Sequence, residues 1–384
     1  MHIIEKISSL FRLIPERPDL EFEFYPLPFD KYVTIYNELS IPSNNYPLFQ
    51  DVVADIRSPL LKRGIRILQL INNPNDPKLS GCHPITQFSY HQLNYLLRRS
   101  LCHISTDVFT NELAGLLGIP SVSLVGNRFA KISTPWFGKD DRNKCLSHDR
   151  HDLKPSFSLQ EQERPAISLI RSETVSESVL STLGIKDVPP YSTVFVGNSY
   201  PAISIEYIPN APFFTKACEN NTVNVRLDLH HDSVIAQSYA SKYPHVLVTK
   251  KPLSLDFLRS VRPQNKGLVI SVSDDVPDLD QFVRDARSVG FQLSFLIGNR
   301  PDHKLRFLGQ PMIMVDPKKP DDYKFNPNHR FKSSKLYIFN GETYFSLAHV
   351  EKGERGGITN TVIDNPKFWN DVDFFKIFSI RKTI

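Results

Sequence analysis

Short β-branched runs alternate with segments of helical apolar spacing along this chain, and that alternation limits its fold more than any other feature. Tyr32-Val33-Thr34-Ile35-Tyr36 reads as a strand, and a polar loop from Asn37 to Asn45 follows it. Pro47–Lys62 then places Phe49, Val52, Val53, Ile56 and Leu60 on one helical face, with Gly64 as its stop. Ile65–Leu70 is the next strand. Strand, helix, strand is the unit of a parallel sheet, because parallel neighbours need a long crossover between them. The unit recurs. Phe88–Arg99 reads as a helix, Cys102–Ser105 as a strand, Asn111–Leu117 as a short helix closed by Gly118, and Ile119–Val125 as a strand ending at Gly126. A doubly wound sheet of this kind gathers ligands at the carboxyl ends of its strands.

The first 30 residues predict a short helix and a lead-in punctuated by Pro15, Pro18, Pro26 and Pro28. The polar, charged stretch 139–165 interrupts the alternation and reads as a loop or linker. Ser172–Leu183, closed by Gly184, reads as a helix capped by its first serine. A second alternation then begins. Ser192–Val196, Val223–Leu227, His245–Thr249, Gly267–Val272 and Phe291–Ile297 read as strands, and Ser233–Lys242, Leu253–Val261 and Leu279–Val289 as helices. Glu206 and Arg226 are expected to pair across neighbouring strands. Near the end, Asn340-Gly341 between Leu336–Phe339 and Thr343–Ser346 predicts a β-hairpin. Phe368-Trp369 and Phe374-Phe375 mark an aromatic tail expected to dock as core. A chain of 384 residues exceeds what one core usually serves. The expected class is therefore α/β, with two Rossmann-like domains: 1–150, a linker and helix over 151–190, a second α/β domain over 191–320, and a hairpin and tail over 321–384.

Composition excludes several classes. Hydrophobic residues make up 40% and charged residues 23%, enough for packed cores. The four cysteines form no CxxC pair, so no zinc knuckle or redox motif is present. The N-terminal segment is broken by Glu5, Lys6 and Arg12 and does not read as a signal peptide. No apolar run reaches the length of a membrane span. A cytoplasmic protein is the expectation. The net charge of +5 suits an anionic ligand and admits nucleic acid, although no Arg/Lys stripe with interleaved aromatics supports the latter. His148, Asp149, His151 and Asp152 are metal-capable but read as a solvated loop, and Asp274-Asp275 reads as a turn. Neither a metal nor a cofactor is expected.

The segment richest in chemistry is Ser105–Val122: strand, polar turn, short helix, Gly-Ile-Pro, strand. Free N–H groups at the start of its helix form an anion site. Asp107 and Thr110 stand where they can cap that helix or hold a ribose or sugar hydroxyl. The segment resembles the signature of the ADP-heptose:lipopolysaccharide heptosyltransferases and related GT-B glycosyltransferases. In that family Asp-Ser/Thr-Gly-x-x-His-Leu-Ala precedes a Leu-Gly-Ile/Val-Pro strand entry. Asp107, Leu113, Ala114, Gly118, Ile119, Pro120 and Gly126 match, Thr134–Gly138 resembles the turn that follows, and Thr34–Asn37 with Pro42-Ser43 resembles the first strand and its loop. The likeness spans roughly residues 30–140. The chain departs from the pattern where Phe109 replaces a glycine, Glu112 replaces a histidine, and Asn44 or Asn45 replaces a basic residue. These changes remove close backbone approach and charge-assisted contact to a diphosphate. The matching domain also comes first here, whereas the family's donor domain comes second.

The resemblance implies a transferase taking a nucleotide-sugar donor and passing the sugar to an unidentified acceptor by displacement at the anomeric carbon. Asp107, Glu112, His230 and His231 are the candidate bases. Asn37, Ser43, Ser105, Thr106, Thr110, Gly126 and Asn198 are the candidate ligand contacts. Two other readings stand beside it: a non-catalytic, virus-encoded binding or structural descendant, and a glycosyltransferase acting on a DNA base.

Overall fold

The computed structural model describes residues 3–37, 39–106, 108–138, 142–148, 154–161, 164–212, 221–272, 278–297, 309–314, 326–355 and 360–381. The chain divides into two compact units, Met1–Ser192 with Arg381–Ile384, and Thr193–Ile380.

The first unit holds helix α1 (Ile3–Phe11) and strands β1 (Tyr32–Tyr36), β2 (Arg66–Leu70), β3 (His83–Ile85), β4 (His103–Ser105), β5 (Ser121–Val125) and β6 (Asn143–Ser147). These form a six-stranded sheet in the order β3-β2-β1-β4-β5-β6. Every neighbouring pair is parallel. The crossovers include α2 (Phe49–Leu61), α3 (Tyr90–Arg98), α4 (Val108–Leu117) and α5 (Ala130–Ser133), and α6 (Ser172–Thr182) follows the sheet. Ser89 starts α3 with a capping box: its hydroxyl accepts from Gln92 N–H at 3.1 Å, and Gln92 Oε1 accepts from Ser89 N–H at 2.9 Å. Leu93, Leu96, Leu97 and Leu113 of α3 and α4 pack on Tyr32, Tyr36, Leu68 and Leu70. Helices α2 and α6 pack on each other, and α6 on β5. Every residue of β1 and of β5 is buried, as the strands of a sheet covered on both faces must be.

Three expectations change here. Strand β6 lies inside the stretch read as linker, and β3 contains Pro84. Both are edge strands, where half the residues meet solvent and polar composition hides the pattern. Helix α6 belongs to the first unit, and its N-cap is Arg171 rather than a capping serine. Helix α4 begins at Val108, so Phe109, Thr110 and Asn111 lie in its first turn.

The second unit contains β8 (Ser204–Tyr207), β9 (Val223–Arg226), β10 (His245–Thr249), β11 (Asn265–Ser271), β12 (Leu293–Ile297), β13 (Met312–Met314), β15 (Lys335–Phe339) and β16 (Glu342–Tyr344). They form an eight-stranded sheet in the order β13-β12-β11-β10-β9-β8-β15-β16. All pairs are parallel except β15 with β16, which are antiparallel across Asn340-Gly341. Asn340 and Gly341 take φ of 52° and 74°, the left-handed pair that a two-residue type I′ turn requires.

From β8 to β13 the chain advances one strand at a time in a single direction. The described helices α7 (Ser233–Ala240), α8 (Leu255–Val261) and α9 (Leu279–Ser288) accordingly share one face, packing on Ile205, Val223, Val225, Leu247, Leu268, Ile270 and Phe295. This run is singly wound, unlike the doubly wound sheet of the first unit.

Strands β7 (Tyr191–Val196), β14 (His329–Ser333) and β17 (Phe375–Ile380) form a separate three-stranded sheet. Around it lie α10 (Leu347–Lys352), α11 (Asn360–Ile363) and α12 (Pro366–Trp369). Phe368, Trp369 and Phe375 are core here, with Phe331 stacked on His349 at 5.3 Å. Residues 326–380 are therefore part of the second unit rather than an appended tail.

Candidate ligand cleft at the carboxyl edge of the first sheet

In the first unit the winding direction reverses between β1 and β4. Splayed crossovers open a crevice there, outside the carboxyl ends of the strands. The register pairs Tyr36 with Leu70 on one side and with Ser105 on the other, so the residues just after β1, β2 and β4 meet.

Asn37 follows β1 and fixes the loop beyond it. Its Nδ2 donates to Asn45 Oδ1 at 3.1 Å and Tyr46 O at 3.2 Å, and its Oδ1 accepts from Tyr46 N–H at 3.0 Å. Tyr46 is fully buried, and its phenol donates to Ile170 O at 2.8 Å. Burial, with Asp51 and Glu173 nearby, pushes that phenol's pKa up. Thr106 Oγ1 donates to Asn37 Oδ1 at 3.4 Å, and the Ser105 and Thr110 hydroxyls bond each other at 3.0 Å. The structure thus brings half-buried Asn37 together with buried Ser105, Thr106 and Thr110 as a polar floor beside the crevice.

Asp107 lies outside the described residues, as do Asp149, His151, Asp152, Asp274 and Asp275. Glu112 is half-buried, and its carboxylate accepts from Trp136 N–H at 2.9 Å, which ties α4 to the turn after α5. Ser43 is fully buried, accepts from Asn127 Nδ2 at 2.8 Å and donates its N–H to Leu159 O. Gly126 serves packing, since a Cβ there would sit 2.6 Å from Ile167 N. Ser43 and Gly126 therefore hold the loops around the sheet. His230 and His231 are exposed in the turn after β9 of the second unit. Partial burial and the Lys251 charge lower the pKa of His231. Asn198 is exposed in the turn after β7.

A cleft of about 310 Å³ opens beside this floor, lined by Tyr36, Asn37, Ser40, Gln69, Asn72 and Asp76 among others. Gln69 shapes its far wall: Nε2 donates to Pro77 O at 3.0 Å and Oε1 accepts from Leu79 N–H at 2.7 Å. Asn72 Nδ2 donates to Tyr36 Oη at 2.6 Å. Among the described lining residues the charged side chain is Asp76, and none is Lys or Arg. Amides, hydroxyls and one carboxylate suit the hydroxyls of a ribose or sugar better than a phosphate. Sequence reasoning missed Gln69, Asn72 and Asp76. The available signal was their place at and just after the second strand, where sheets of this class form clefts.

The second unit has a separate polar cluster. Arg226 Nε and Nη2 each donate to Asp228 at 2.8 Å, and Nη1 donates to Glu206 Oε2 at 2.7 Å, the pairing expected from neighbouring strands. Glu206 also accepts from Ser204 Oγ and Asn224 Nδ2 at 2.7 Å each. Burial alone would raise its pKa, but the Lys335 and Arg226 charges and these hydrogen bonds hold it down at about 2. Among the described residues no group of His, Cys, Asp and Glu is placed to hold a metal ion. No helix among them is long and apolar enough to cross a membrane.

No family model matches this chain, and no curated protein matches it. Solved structures resemble it weakly. The iron-containing heptosyltransferase TibC of enterotoxigenic E. coli, solved with ADP-D-β-D-heptose, is 13% identical over 44% of this chain and 49% of that one, with a TM-score of 0.34. E. coli heptosyltransferase WaaC with ADP is 10% identical over 74% and 91%, with a TM-score of 0.29. A family 9 glycosyl transferase from Veillonella parvula is 11% identical over 75% and 86%, with a TM-score of 0.23. The chain thus spans about half the length of the TibC chain.

Proposed function

We propose that this is a GT-B-like glycosyltransferase-related protein whose first unit takes a nucleotide-sugar at the crevice of its doubly wound sheet. The supporting observation is the strand order β3-β2-β1-β4-β5-β6 with a polar cleft of about 310 Å³ at its carboxyl edge. In this reading Asn72 and Asp76 hold ribose or sugar hydroxyls, and Asn37, Ser105, Thr106 and Thr110 keep the floor in shape. Asp107, next to Thr106, is the candidate base that takes the acceptor's proton as the anomeric bond transfers. Glu112 is a positioning residue, because its carboxylate is engaged by Trp136 N–H.

A specific observation favours a second reading, a binding protein without transferase activity. The described cleft lining offers no cation to the diphosphate, and Phe109, 52% exposed, stands where the resembling family has glycine. A thermal-shift titration with ADP, ADP-heptose and other nucleotide-sugars separates the two. A donor at a hundred times its dissociation constant stabilises the fold by about 2.7 kcal/mol. Binding with sugar release or transfer supports the enzyme, binding without turnover supports the second reading, and no binding by any of them overturns both.

A further inference from the structure

Helices α7, α8 and α9 of the second unit occupy one face of its eight-stranded sheet. The residues alternating to the other face line a cavity of about 460 Å³. One wall is aliphatic, built from Val248, Val269, Leu296 and Ile313, the last 44% exposed. The opposite wall is ionic. Besides the Arg226 cluster, Lys335 Nζ meets Asp371 Oδ1 at 2.9 Å and lies 5.1 Å from the Phe374 ring centre. Tyr337 Oη donates to the same carboxylate oxygen at 3.0 Å. Asp373 stands exposed in the lining.

Four carboxylates, Glu206, Asp228, Asp371 and Asp373, thus surround two cations, Arg226 and Lys335. Among these described residues the carboxylates outnumber the cations by two, beside a partly desolvated space where excess charge is costly. A phosphate or carboxylate entering it would add to the repulsion. A cation would offset it, and a short alkyl chain would cover the aliphatic wall.

We propose that this cavity binds a small amphipathic organic cation of the alkylammonium class, its ammonium toward Glu206, Asp371 and Asp373 and its chain along Val248, Val269 and Leu296. The proposal is independent of the nucleotide-sugar reading, which concerns the first unit.

The test is methyl NMR on the full-length protein with n-hexylammonium, and with hexanol and hexanoate as matched neutral and anionic probes. Hexylammonium shifts the Val248, Val269, Leu296 and Ile313 methyl signals saturably, hexanol binds more weakly, and hexanoate leaves them unmoved. Asp373→Asn, which alters an exposed side chain, weakens hexylammonium binding about 2- to 5-fold, as loss of one solvent-exposed charge interaction should. The proposal is overturned if hexanoate binds as tightly as hexylammonium. It fails equally if hexylammonium leaves these methyls unmoved, or if Asp373→Asn binds it unchanged.

Discussion

Replacing Arg226 by methionine keeps much of the side chain's length and removes its charge. The Arg226 side chain is 12% exposed, and both carboxylates it bonds are 4% exposed. Losing the guanidinium removes one bond of 2.7 Å and two of 2.8 Å. It leaves Glu206 and Asp228 without their main partner. Breaking a buried pair from one side costs about 3–5 kcal/mol, mostly because the remaining charge is stranded. That is a large share of a domain's total of about 5–15 kcal/mol.

The assay is urea unfolding followed by tryptophan fluorescence in a Trp136→Phe background. The chain has two tryptophans, and Trp369, buried in the second unit, then reports alone. A pH series gives the mechanism. In the parent, Glu206 has a folded pKa of about 2 against an ordinary 4.5. Its stabilising contribution is therefore complete above pH 4.5 and is lost as pH falls through about 2. Without Arg226, one of the two cations that hold the Glu206 carboxylate down is gone while Lys335 stays, so its folded pKa rises and the Glu206 part of the acid-induced loss should be smaller, and complete at a higher pH, in the variant. The triple change Arg226→Met, Glu206→Gln, Asp228→Asn should recover most of the loss, since no charge is then stranded. A cost below about 1 kcal/mol for Arg226→Met, or an acid dependence as large as the parent's, would refute the reasoning.

Three further outcomes are expected in the first unit, each read from Trp136 in a Trp369→Phe background. Gly126→Ala drives a Cβ to 2.6 Å from Ile167 N and should cost about 1–3 kcal/mol, and an unchanged melting curve would show that the 166–169 segment yields freely. Asn37→Ala leaves Tyr46 N–H without its side-chain acceptor and should cost about 1–3 kcal/mol, with faster amide exchange across residues 39–46 as the local signature. His103 is fully buried, and burial lowers its pKa from 6.5 to about 3. Its neutral form stabilises the fold fully above pH 6.5, and that contribution is lost as pH falls toward 3. His103→Gln should flatten this part of the acid dependence, and an equally steep profile in the variant would assign it to other groups.

The sequence by itself marked many of the local elements whose burial is one-sided or complete, although β8, inside the second sheet between β9 and β15, was not among them. β1, β2 and β5 are apolar runs because both faces of their sheet are covered, and α2, α7 and α9 follow from 3.6-residue spacing. Asn340-Gly341 marks its hairpin because few other residue pairs accept two consecutive positive φ angles. The expected contact between Glu206 and Arg226 forms because β8 and β9 pair in parallel, with Glu206 opposite Asn224 and Arg226 two residues on. The edge strands β3 and β6 were not legible, because partial exposure relaxes the demand for apolar residues that a pattern search relies on.

Strand order belongs to the tertiary structure alone. Alternating strands and helices fit a doubly wound sheet and a singly wound one equally well, and this chain has both arrangements. The choice depends on which strand each crossover returns beside, a matter of long-range packing that local periodicity does not encode. The functional surfaces depend on that choice. Pairing of β1 with β2 brings Asn37 and Asp76 to one cleft, and insertion of β15 beside β8 carries Lys335 to Glu206 across more than a hundred residues. Spacing along the chain sets which face a side chain occupies, whereas strand order and register set which other side chains it meets there.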